Sequence, residues 1–242
     1  MIKKQDTIFP QPFYYIGFSI VNENESESQF QSLFSNEKNS FKHFLEKGVL
    51  GRFGGWNIPK DVQYLIQIDG LEHIDTVRRV KVFENGHIIV QGAVSEDFLC
   101  WANSNSKSDL KGERIQINTT ALIEFTYNCV VLLKRALEDA DNSKKIICEF
   151  GFLGMGDNFV LGDVKLPSQS HLNHSWVLNP IGSITESKMN IEIDDLSNDG
   201  VAKVSYSILT IVFRMFGFSE DIISYAHSDG KKIDIELMKN IG

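Results

Sequence analysis

Hydrophobic spacing along this chain changes period several times, and each change marks an element. Residues 13–20, "FYYIGFSI", are aromatic and β-branched and follow a proline, which predicts a strand. A polar stretch then leads into a region where Phe30 and Phe34, then Phe41 and Leu45, recur four apart with Phe44 on the same face. That is helical spacing, with Asn39 or Ser40 expected to break and restart the helix and Gly48 expected to end it. Residues 62–69 and 77–94 return to strand character, and Asn85-Gly86 between two apolar runs predicts a hairpin closed by a type I′ turn.

The second half follows the same logic. Residues 118–141 form a long helical pattern, apolar on nearly every side through Leu122, Ile123, Phe125 and Val130 to Leu133. Such a helix must be packed on more than one face, and Thr119 or Thr120 can cap its start. Two short strands are expected at about 146–153 and 159–164, joined by a glycine-rich turn, with further strands at "SWVLN" and "MNIEID". Apolar residues from Val201 to Met215 predict a second buried helix, ended by Gly217. Strands arrive in runs between helices. The expectation is therefore an α+β fold: a mainly antiparallel sheet with one long buried helix and two or three others. A single domain over residues 1–242 is expected, with residues 103–111 as the place where subdomains would divide.

Composition narrows the function classes. A net charge of −8 over 242 residues argues against a general nucleic-acid backbone binder, which needs a basic field. The first fifteen residues lack the apolar core of a signal peptide. The run "ILTIVFRMFGF" is far short of a membrane span and carries Arg214. Three cysteines, Cys100, Cys129 and Cys148, show no zinc-type spacing, and the last two read as small buried hydrophobes. The expectation is a cytoplasmic protein, off the membrane and without a cofactor.

Candidate chemistry is thin. "GVLGRFGGWNIP", residues 48–59, has four glycines but no lysine or hydroxyl after them, and it leaves a helix instead of opening one. Neither a P-loop nor a dinucleotide fingerprint fits that order. Arg52 and Trp56 on this turn are the candidate partner-binding residues, since both types are favoured at interaction hot spots. "DDLSNDG" places Asp195, Ser197, Asp199 and Gly200 like a calcium loop, but the bidentate position falls on Tyr206, so helix capping explains it better. His171 and His174 are the candidate metal ligands, three apart and without a third ligand in sequence. "RRVK" (Arg78, Arg79, Lys81) reads as a charged, solvated edge strand with alternate residues on opposite faces.

With the long helix and the run "KKIICEFGFLGMGDNFVLGD" in view, residues 115–164 resemble the region following the nucleic-acid-binding domain in bacterial Schlafen-like (AlbA-type) proteins. There a helix leads into an apolar strand ending in a Leu-Gly-x-x-Gly-like turn. Leu153, Gly154 and Gly156 match it with the second glycine one place early. The likeness covers the region after the binding domain, not that domain. The expected function is a non-enzymatic intracellular module that binds a protein partner, a further copy of itself or a small ligand in a prokaryotic assembly, such as one for stress or phage defence. The alternative is a metal-dependent hydrolase or nuclease using His171, His174 and a carboxylate.

Overall fold

The computed structural model describes residues 12–21, 37–46, 65–67, 70–100, 115–138, 145–155, 159–162, 186–197, 199–226 and 231–239. Nine strands are described: β1 (Phe13–Val21), β2 (Leu65–Gln67), β3 (Gly70–Ile74), β4 (Arg78–Phe83), β5 (His87–Ala93), β6 (Ile115–Asn118), β7 (Lys145–Leu153), β8 (Phe159–Gly162) and β9 (Glu186–Glu192). The described α-helices are α1 (Glu37–Glu46), α2 (Thr119–Glu138), α3 (Gly200–Met215) and α4 (Ile235–Lys239), with 3-10 turns at Ile193–Leu196 and Glu220–Ile222. The expected α+β class is observed. Seven strands form one antiparallel sheet in the order β2-β3-β4-β5-β1-β7-β9.

Alternation sorts the sheet into two faces. Tyr14, Ile16, Phe18 and Ile20 of β1 point to the main core, beside Val80 and Val82 of β4, Ile88 and Val90 of β5, and Ile146, Cys148, Phe150 and Phe152 of β7. The intervening residues Phe13, Tyr15 and Ala93 make a smaller cluster on the outer face, with Ile74, Val77 and Leu153 packed against it.

Helix α2 lies on the core face. Its buried residues run all round, as the sequence pattern requires, and it packs against the sheet, α1 and α3. An aromatic seam joins it to the sheet. The Phe125 ring lies 5.8 Å from Tyr14 and 5.8 Å from Phe98 between ring centres, the latter pair edge-on. Thr126 Oγ1 donates to the Leu122 carbonyl (2.8 Å), which leaves the Tyr14 hydroxyl to donate to Thr126 (3.3 Å). The buried phenol is thereby partnered, and burial holds its proton far above the ordinary tyrosine range. From α2, Arg135 reaches the end of α1. Its guanidinium donates to the Phe44 carbonyl and to the His43 carbonyl (2.7 Å), and sits over the Phe44 ring at 5.3 Å. Two orphan carbonyls of α1 are satisfied by a cation at the negative helix end.

Several local expectations are corrected. Helix α1 runs through Asn39 and Ser40 without a break. The N-cap of α2 is Asn118, whose Oδ1 accepts from the Ala121 N–H at 3.0 Å, and not either threonine. The β4–β5 hairpin exists, but its loop is the three residues Glu84, Asn85 and Gly86. Gly86 N–H bonds the Phe83 carbonyl (3.2 Å), and Gly86 alone of the three takes a positive φ, 87°. A type I turn followed by a left-handed glycine replaces the two-residue type I′ form. Strands β7 and β8 do not pair with each other. β8 instead runs parallel to β6 in a separate two-stranded sheet. The end of α3 is as expected: Gly217 has φ 81°, and Phe218 N–H returns to the Phe213 carbonyl (3.1 Å) in a Schellman arrangement. The "SWVLN" strand and residues 103–111 lie outside the described residues.

Gly92 sits where β5 meets the seam. A Cβ there would stand 2.8 Å from Phe98 and 2.9 Å from Phe125. Gly92→Ala therefore forces two buried rings out of place and is expected to destabilise the fold by about 1–3 kcal/mol, read as a lower urea midpoint with unchanged far-UV dichroism.

Candidate functional site

Strands β3 and β4 carry buried charge, with three cations among the four residues 78–81 of β4. Strand β4 is interior, not an edge. Arg78, Arg79 and Lys81 are all under 10% exposed, which overturns the solvated-edge reading. The sequence missed this because an edge and an interior strand with paired charges carry the same local pattern. The split of alternate residues between faces does hold.

On the core side of β4, Arg78 turns back to the β3–β4 connection. Its Nε and Nη2 donate to Asp75 Oδ2 (3.1 and 2.7 Å), while Asp75 Oδ1 accepts the backbone N–H groups of Val77 (2.8 Å) and Arg78 (2.6 Å). His73 Nε2 lies 3.4 Å from the same Oδ2. Burial opposes ionisation of Asp75, but the His73 contact, the Arg78 charge and the Val77 N–H together outweigh it and hold the carboxyl well below its usual range. Every lone-pair direction of Asp75 is thus committed to closing a hairpin, a fixed anion and not an available base.

On the outer face, Arg79 Nε donates to Glu72 Oε1 at 2.5 Å, and Nη1 reaches Gln91 Oε1 at 3.5 Å. Lys81 stands over the Phe83 ring at 4.4 Å. Further along this face the Ser19 hydroxyl and His87 Nδ1 share a 2.8 Å hydrogen bond across the β1–β5 pair, and the His87 ring meets Phe83 edge-on at 6.4 Å. Burial lowers the His87 pKa, with Glu149 opposing, so the ring is neutral near pH 7. Tyr15 reaches past Gly151 to Glu186. Burial first, then the Glu186 carboxylate, keep the phenol protonated far above its ordinary range. Lys188 Nζ bonds Glu149 Oε1 at 3.0 Å, an exposed pair of small energetic weight.

The cysteines behave as hydrophobes. All three are buried and free. Burial pushes the Cys100 thiol up to about 12, and Cys129 and Cys148 also rise above the ordinary thiol range, so none is a ready thiolate. The calcium-loop reading of residues 195–206 fails on geometry as well as on chemistry. Asp195 Oδ2 accepts the Glu192 N–H (3.0 Å) and caps the 3-10 turn, and Asp199 pairs with Lys232 (2.9 Å) without capping α3. Tyr206 is buried in α3. The expected side-chain cap of α3 is thus not observed, and Asp195 serves the preceding 3-10 turn instead. Among the described residues, no group of three or more histidine, cysteine or acidic side chains could hold a metal.

Arg52, Trp56, His171 and His174 lie outside the described residues, so neither candidate pair enters this geometry. What the structure brings together instead is the half-buried part of the outer sheet face, where Ser19, His87 and Glu149 alternate with Ile89 and Ile147 and the exposed Val21. Period-two alternation in the sequence pointed to an outer face, but strand order decided which residues share it. Among the described residues no helix is long and apolar enough to cross a membrane. No protein-family model, curated protein or solved structure matches the chain.

Two outcomes follow from these charges. Arg79→Ala removes one partner of the buried Arg79–Glu72 pair and is expected to cost about 3–5 kcal/mol, whereas the Glu72→Leu, Arg79→Leu double variant costs less than the sum of its parts in urea unfolding. Acid lability has two windows. His87 is lowered from 6.5, so the unfolded chain takes its proton first and stability falls as pH drops from 6.5 through the folded value. Asp75 is lowered from 3.8, so its contribution is complete above 3.8 and is lost as pH falls through the folded value. His87→Gln should remove the first slope and leave the second, measured by urea titrations across pH.

Proposed function

We propose that this chain is a non-enzymatic binding module, intracellular, that docks a protein partner or a further copy of itself within a prokaryotic assembly such as one for stress or phage defence. The observation that carries the reading is the outer sheet face around Ser19. There, half-buried Ile89 and Ile147 and the 43% exposed Val21 are interleaved with Ser19, His87 and Glu149 on strands paired on both sides. Apolar contact area with polar groups set among it is the make-up of a protein interface. Arg52 and Trp56 belong to the same proposal as additional contact residues. The Schlafen-like resemblance of residues 115–164 supports a module that accompanies, and does not constitute, a nucleic-acid-binding domain. The net charge of −8 agrees with a protein partner over nucleic acid.

The test is association measured on folded variants. Ile147→Glu and Trp56→Ala are each expected to leave far-UV dichroism and thermal midpoint near those of the parent chain while weakening, at least tenfold, self-association by sedimentation or capture of the partner that co-purifies from the native cell. If Trp56→Ala instead costs several kcal/mol of stability, that ring is core and leaves the interface. Stoichiometric zinc or manganese bound by the purified chain, and lost in the His171→Ala, His174→Ala double variant, overturns the module reading in favour of a metal-dependent hydrolase.

A further inference from the structure

We draw no further inference here: the strongest candidate, the Ser19–His87 hydroxyl–imidazole pair on the outer face of β1 and β5, belongs to the docking face already described, and nothing in the structure shows what covers it.

Discussion

A helix that is apolar on nearly every side cannot sit on a surface, and the architecture follows from giving α2 enough neighbours. The sheet takes one side through the Tyr14–Phe125–Phe98 seam, α3 takes another, and α1 is drawn in by the Arg135 guanidinium. The seam is tight enough that β5 has no side chain where it passes Phe98 and Phe125. Within this packing, hydroxyls of α2 and α3 are bonded along their own helices. Thr126 donates along its own helix and receives from Tyr14, and Ser205 Oγ donates to the Val201 carbonyl within α3 (2.7 Å).

The sheet carries its charges in the same spirit. Two adjacent arginines of β4 point to opposite faces and meet different carboxylates, Asp75 on one side and Glu72 on the other. Each pairing compensates a buried cation, and each ties β4 to the neighbouring β3 strand or to the turn between them. Groups spent in this way are poor candidates for acid–base chemistry. The thiols, held protonated by burial, are poor nucleophiles. The outer face near Ser19 differs in being half open, with a neutral imidazole and an exposed Lys188–Glu149 pair.

Much of the fold was legible from residues alone. The first strand, the central helix, the β4–β5 hairpin and the glycine-ended α3 depend on interactions within one segment: alternation, helical spacing, or a glycine at positive φ. Where the reading failed, the deciding partner was distant or the competition subtle. Asn118 won the cap of α2 over two threonines that are each adequate. Asn39 and Ser40 were absorbed by a helix whose docking outweighs a weak local preference. Of the candidate site, the alternation of its residues was visible, but not that β5, β1 and β7 would lie side by side to assemble it.

By itself, then, the sequence determined the class of fold, the apolar identity of α2 and the buried, hydrophobic character of Cys129 and Cys148, because those depend on composition and short-range periodicity. Tertiary structure decided that β4 is interior, that β8 pairs with β6 instead of β7, and that Ser19 and His87 share one face. Strand order and pairing are set by contacts between residues far apart in the chain. A local pattern of charges or glycines is compatible with several such pairings, and only the packed core selects one.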